Sequence, residues 1–327
     1  MISVGHKTGL FDAMSTMPAS TSHEIAKKAR LNERYVREWL GAMVTGRIVD
    51  YDPSSNAYVL PQDRAALLTR KAGIDNLAVF TQYIALMGLV EDRIVECFRK
   101  GGGVPYSAYP EFQKLQGEET ARVFDAKLIS HILPLVDGLV DRLKGGINVL
   151  DVGCGSGRAI NLMAKAFPKS SFWGYDFSKE GIRSARDEAR NLRLKNAHFK
   201  VVDAAKTADR ESFDLITAFD TIHDQARPDK VLKGINRALR KEGTFLMQDI
   251  AASSHLHENL ENPLGPTIYT ISTMHCMTVS LAYKGMGLGT AWGRQKAIEM
   301  LEEAGFRQVQ VKSVDGDILN YYYITGK

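Results

Sequence analysis

Three alternating glycines behind an apolar run constrain this chain more than any other feature. In Val149-Leu150-Asp151-Val152-Gly153-Cys154-Gly155-Ser156-Gly157, a β-prone stretch enters the glycines, and a helical stretch follows from Arg158. Glycine permits a tight turn and lets the backbone approach a ligand closely. Nineteen residues beyond Gly157, Asp176 ends a second run, Phe172-Trp173-Gly174-Tyr175-Asp176. In sheets of this kind ligands sit at the carboxyl ends of the strands, where an acid can accept both hydroxyls of a ribose. Two further runs keep the order: Val201-Val202-Asp203-Ala204 carries an acid, and 213–219 ends in Phe219. The motif reads G-x-G-x-G, with Arg158 where a dinucleotide fingerprint has glycine or alanine. That departure and the order of the later motifs disfavour a nicotinamide oxidoreductase.

The rest of the chain frames this motif. Short apolar or β-branched runs at 147–152, 171–175, 198–202, 213–219 and 244–248 alternate with helical stretches, which follow the first four. Alternation of this kind predicts a parallel sheet with helices on both faces. The runs 306–314 and 319–325 lie too close for a helical crossover and predict an antiparallel hairpin at the sheet edge. Upstream, Leu10 and Phe11 read as the end of a first helix with its beginning cut short. Ser22 is expected to cap a helix over 23–29, and Asn32 a second helix carrying Tyr35, Val36, Trp39, Leu40 and Met43. Two strand runs, 48–51 and 57–60, flank the turn residues Asp52-Pro53-Ser54-Ser55-Asn56. Helix, turn, helix and hairpin together predict a winged helix over 1–75. Residues 76–145 read as a helical linker and cover. The glycines and proline of Gly101-Gly102-Gly103-Val104-Pro105 interrupt it as a flexible loop carrying aromatics, and its last helix is expected near 120–143. Residues 146–327 make the α/β domain.

Composition narrows the class further. At 44% hydrophobic and 24% charged residues, the chain is neither disordered nor a disulfide-stapled scaffold. Cys97, Cys154 and Cys276 match no zinc spacing, and an odd, scattered set fits a reducing compartment, with cytoplasm as the default. The first twenty residues lack the apolar run of a signal peptide, and the most apolar stretch, 77–90, is too short to span a membrane.

On these residues, 147–327 resembles the class I S-adenosylmethionine-dependent methyltransferases, whose α/β fold is a Rossmann-like seven-stranded sheet. Residues 1–145 resemble the winged helix and helical linker that precede this domain in small-molecule O-methyltransferases. The resemblance implies S-adenosyl-L-methionine as cofactor and a small-molecule methyl acceptor. It implies that Gly153 and Gly155 pass near the methionine part, that Asp176 holds the ribose, and that Phe177 packs on the adenine. Asp203 would hydrogen-bond the adenine amino group, with Ala204 and Phe219 completing the cofactor set. Cys154 reads as a small filler of the loop.

A hydroxyl acceptor must lose its proton, typically to histidine or a carboxylate. Thr221-Ile222-His223-Asp224 follows the fourth run, so His223 belongs at the carboxyl edge of the sheet. His223-Asp224 is similar to the His-Asp-Trp motif of plant phenolic and hydroxyindole O-methyltransferases, whose histidine is the general base. Gln225 stands in place of the tryptophan. Asp249, which ends the fifth run, is expected to orient the ring. The other reading of His223 is a loop cap before a helix starting near Pro228. A second histidine, His275, is a pocket residue, a core histidine or, with Cys276, a metal ligand, although no second ligand pair is visible and no metal is expected. The long stretch between Asp249 and His275 is expected to build the acceptor pocket.

A ligand-sensing winged-helix transcription regulator that binds S-adenosylmethionine without catalysis is the rival class. Residues 1–75 carry ten basic against eight acidic side chains, and the candidate recognition helix mixes Arg34 and Arg37 with Glu33 and Glu38. So even a balance is a weak footprint for nucleic acid. Tyr35, Trp39 and Tyr58 suggest burial against another surface, and the expectation is homodimer formation through this domain.

Overall fold

The computed structural model describes residues 1–327 and divides into two compact units, Met1–Leu86 and Met87–Lys327. In the first unit, helices Ile2–Thr8 and Leu10–Met14 are separated by Gly9, whose φ of 73° closes the first helix in the left-handed region. Leu10 therefore begins a second helix and does not end the first. Thr21, one residue before the expected cap, starts the helix Ser22–Ala29. It forms a capping box, accepting from the Glu24 amide while the Glu24 carboxylate accepts from the Thr21 amide. Ser22 is the first helical residue, and its hydroxyl donates to Glu33. Asn32 caps helix Glu33–Thr45 as expected. The wing is a hairpin of β1 (Asp50–Asp52) and β2 (Ala57–Val59). Trp39 is buried within this unit's own core, edge-on to Phe11 at 5.2 Å, whereas Tyr35 is 81% exposed.

In the second unit, helix Phe112–Val123 runs on as a wider turn over Phe124–Ile132. The single helix expected over 120–143 is two: Pro134 enters a short 3₁₀ turn, and Gly138, at φ 69°, starts a new helix, Leu139–Gly145. The sheet comprises β3 (Asn148–Val152), β4 (Ser171–Asp176), β5 (Ala197–Val201), β6 (Phe213–Phe219), β7 (Leu239–Ile250), β8 (Arg307–Lys312) and β9 (Asn320–Gly326). Their order is β5-β4-β3-β6-β7-β9-β8. Strands β3 to β7 run parallel, and β9 pairs antiparallel with β7 and β8. Helices follow β3, β4 and β6, but between β5 and β6 the chain makes only the 3₁₀ turn Ala204–Lys206. The expected third crossover helix is absent because the eleven residues 202–212 include the capping acid Asp203 and run directly into β6.

Side-chain alternation along the strands sorts the core into two layers. Val149 and Leu215 join the layer that contains Leu128, Ile160 and Phe172. Leu150 and Ile216 join the opposite layer with Leu232, Met247 and Leu301. From β3 the chain order runs outward to β4 on one side and to β6 on the other, so the crevice between the carboxyl ends of β3 and β6 is the switch point where such sheets bind ligands. No helix is long and apolar enough to cross a membrane.

Candidate active site

The glycine loop crosses that crevice. Gly153 has φ 74°, and a Cβ there would lie 2.2 Å from Thr221 Cγ2, so only glycine lets the loop leave β3 beneath Thr221. Gly157, also left-handed, starts helix Arg158–Ala166. Gly155 faces more open space and donates its amide to Asp176 Oδ2 at 2.8 Å, while the Ser178 amide donates to Asp176 Oδ1 at 2.7 Å. One backbone donor on each oxygen leaves each with lone-pair capacity. Burial raises the Asp176 carboxyl above its usual range, against the pull of those two amides.

A cavity of about 540 Å³ opens over this loop, a size typical of small-molecule sites. Gly153, Gly155, Asp176, Phe177, Asp203, Ala204 and Phe219 all lie on its wall. Phe177 is 56% exposed and meets Tyr106 edge-on at 5.5 Å. Asp203 is held by its own turn, bonded to Lys206 and to the Ala205 amide, which keeps its carboxyl below the usual range. Phe219 packs on Phe124 with ring centres 4.9 Å apart. The Cys154 thiol is buried and pushed well above its ordinary value, so it is a filler of the loop and no nucleophile.

Sequence order did not single out two further acids on this wall, Asp151 and Asp220. Asp151 accepts a hydrogen bond from Thr217 Oγ1 at 2.7 Å, and burial pushes its carboxyl up to about 7. Asp220 follows β6 directly and sits at φ 48°, a strained angle for a non-glycine residue. Burial, then the nearby Asp249, raises its carboxyl well above the usual range, and Oδ1 has no partner. Its place at the end of a switch-point strand was the available signal.

The expected pairing of His223 with Asp249 is made: Nδ1 lies 2.7 Å from Asp249 Oδ1, which also accepts from Trp292 Nε1 and the Ile250 amide. The other ring nitrogen, however, faces Asp224 Oδ1 at 3.3 Å. Burial alone would lower the imidazole, but Asp249 and Asp224 outweigh it and hold it well above its ordinary value. Nδ1 is thus hydrogen-bonded, Asp224 acts on the ring by charge alone, and the ring is not part of the cavity wall. The ring therefore stands beside the expected acid but behind the cavity wall, and its role as a general base is a matter for proposal. His223, Asp224 and Cys276 bring their ligand-type atoms within 4.8 Å of one another.

At the far end of the cavity the structure gathers aromatics. The glycine-rich segment 101–105 is anchored, not free: Val104 is buried, and its amide donates to Thr278 Oγ1 at 3.0 Å. It thereby carries Tyr106 and Tyr109 to His275, with ring centres 5.9 and 4.7 Å away, while Phe112 stacks on that imidazole at 3.8 Å.

A glycine loop at the switch point, an acid ending the second strand and an antiparallel last strand inserted beside the fifth define a Rossmann-like methyltransferase fold. Comparison with known proteins agrees. Residues 1–70 match the Rv2258c-like winged HTH domain, and residues 143–305 match a methyltransferase domain. Human N-acetylserotonin methyltransferase, solved in complex with SAM, superposes with a TM-score of 0.71 at 16% identity, covering 100% of this chain and 92% of that one. Mitomycin 7-O-methyltransferase MmcR superposes at 0.72 with 15% identity, covering 100% and 93%. The fatty-acid O-methyltransferase of Mycolicibacterium smegmatis is 30% identical over 105 residues, 32% of this chain and 37% of its own. The chain spans less than half the length of the curated relatives it matches. Residues 143–305 form a methyltransferase domain, with a winged helix-turn-helix domain in front.

Proposed function

We propose that this chain is an S-adenosylmethionine-dependent enzyme that methylates a hydroxyl of a small-molecule acceptor. The observation that carries the reading is one cavity whose wall joins two kinds of lining. One is the glycine loop with the carboxyl groups of Asp151, Asp176 and Asp220; the other is the aromatic cluster around His275. A carboxyl-rich, buried end suits a ligand that carries positive charge and suits a pyrophosphate poorly. When bound, S-adenosylmethionine supplies an electrophilic methyl on a sulfonium. Asp176 would accept the ribose hydroxyls with its free lone pairs, and Gly153 and Gly155 would line the methionine part. Phe177, Asp203, Ala204 and Phe219 would border the adenine. The aromatic end would orient the acceptor, which supplies most of what such a displacement asks of a protein. His223 and Asp249 would brace the turn after β6, which carries Asp224 on the cavity wall. The names of the fatty-acid and mitomycin methyltransferases support oxygen as the acceptor atom.

For the first domain we infer a homodimer and no DNA reading. Arg34 pairs with Glu38 and Arg37 with Glu33, so the recognition helix neutralises its own cations. In the second unit, Leu89, Val95 and Phe98 stand exposed on and just before the helix Glu91–Lys100, surface that a partner copy would cover. Free thiols at Cys97, Cys154 and Cys276 support a cytoplasmic setting.

Melting curves test the cofactor set. S-adenosylhomocysteine at a hundred times its Kd should add about 2.7 kcal/mol of stability, and Asp176→Ala should abolish the rise. Stabilisation by NADH and not by the adenosyl ligands would overturn the reading.

A further inference from the structure

We propose that Nε2 of His275, and not a nitrogen of His223, receives the acceptor hydroxyl and takes its proton during transfer. The proposal rests on the hydroxyl reading above and adds the atom that serves it. His275 is 1% exposed, forms part of the cavity wall, and its Nε2 has no hydrogen-bond partner. A buried, unpaired polar atom on a cavity wall is costly unless a ligand completes it. Neither neighbouring hydroxyl is bonded to it: that of Tyr109 donates to the Met274 carbonyl, and that of Tyr106 accepts from Gln113 Nε2.

The tautomer follows from the groups behind the ring. The Cys276 thiol, pushed up to about 12 mainly by burial, keeps its proton. Its sulfur lies 3.6 Å from His275 Nδ1 and is the group that nitrogen faces. With the ring's hydrogen on Nδ1, directed at that sulfur, the lone pair stands on Nε2. Burial also pulls the imidazole down to about 4, with Asp224 opposing and the charged His223 assisting, so the ring is neutral at pH 7. Phe112 covers the face of the ring at an interplanar angle of 9°, and a lone pair in the ring plane stays clear of that stack. Tyr106 and Tyr109 stand edge-on and bring no charge to it.

The chemistry balances. The acceptor O–H bond breaks as an N–H bond forms at Nε2. An oxygen lone pair makes the new O–C bond, and the electron pair of the broken C–S bond stays on the thioether. One positive charge leaves the sulfur while one arrives on the imidazole, so the charge in the cavity is unchanged. The proton later passes to solvent. A base with so low an affinity for protons in the resting cavity can act because the compensating charge disappears in the same step. The shape of the wall, an imidazole stacked on one ring and flanked by two others, fits a planar hydroxy compound.

The test uses the full chain loaded with S-adenosylhomocysteine, with 2-naphthol as probe. In histidine-¹⁵N-labelled protein, 2-naphthol should shift the His275 Nε2 resonance and leave the His223 nitrogens in place. His275→Phe keeps the stack and should weaken 2-naphthol binding about tenfold, with His275→Gln recovering part of the loss and S-adenosylhomocysteine affinity unchanged in both. Methylation of 2-naphthol, where it occurs, should be flat from pH 6 to 8 in the wild type. No binding of 2-naphthol, an unmoved Nε2 resonance, or a shift confined to His223 would each overturn the proposal. Failure of S-adenosylhomocysteine itself to bind would instead overturn the function reading beneath it.

Discussion

Replacing Asp151 with asparagine should stabilise the protein at neutral and alkaline pH. Asp151 is 4% exposed on β3 beneath the glycine loop, and burial pushes its carboxyl up to about 7, partly offset by the Thr217 hydrogen bond and reinforced by Asp176. In the unfolded chain the same carboxyl loses its proton near 3.9. Between those two values the unfolded state binds fewer protons than the folded state, so this group's contribution to stability falls as pH rises. Three units at about 1.36 kcal/mol each amount to about 4 kcal/mol lost by pH 7, with little further change above it. Asparagine keeps an oxygen for Thr217 and carries no charge in either state. The stability gap between Asp151→Asn and wild type should therefore be small near pH 4, widen by about 1.4 kcal/mol per pH unit, and level off near pH 7. Denaturant unfolding of both proteins at pH 5, 6, 7 and 8 reads this directly. The same variant should lose affinity for cationic S-adenosylmethionine more than for the uncharged thioether product. A gap that does not change between pH 5 and 7 would show that Asp151 is already ionised, and the electrostatic account of the cavity would be wrong.

Gly153→Ala places a methyl 2.2 Å from Thr221 Cγ2 at a backbone angle of φ 74°; the strain, about 1–3 kcal/mol before any clash, should lower the melting temperature and remove the response to S-adenosylhomocysteine. Asp249→Asn breaks the buried pair with His223 and should cost about 3–5 kcal/mol. Because His223 is raised in the folded state, that cost should be full below about pH 6.5 and shrink as pH rises through the folded value, which unfolding at pH 6 and pH 9 can show. Phe98→Asp together with Val95→Asp should convert a dimer into a monomer in sedimentation velocity; unchanged sedimentation would remove this surface from the interface.

The sheet was legible because its strands are short apolar runs of one period, each closed by a chemically distinctive residue. Val149 to Gly157, Asp176 and Asp203 marked the carboxyl ends of successive strands, and with them the edge where the cavity lies. Helix boundaries were less legible. Thr21 and Ser22 are both sound caps by composition; the capping box selects Thr21 because only that register places Glu24 at the third helical position. The break at Pro134 and Gly138 was hidden by continuous apolar spacing on either side, since Leu128, Ile132, Leu133, Leu139 and Leu143 all face the same core layer. Trp39 suggested an interface by its size, yet it fills the interior of a small domain that has few other large side chains.

At the site, sequence placed residues on the correct edge but could not state what each atom of a side chain faces. His223 and Asp249 come together because they end neighbouring parallel strands, β6 and β7, and strand order predicts that much. The protonation of the ring depends on its second nitrogen, and Asp224 reaches that nitrogen only through the turn after β6. Two carboxylates at 2.7 and 3.3 Å raise a buried imidazole well above its ordinary value. His275 is pulled down instead, because burial among a thiol and three aromatic rings outweighs Asp224. The distinction between the two histidines is therefore one of solvation and charge in the folded state, and spacing along the chain carries no record of it.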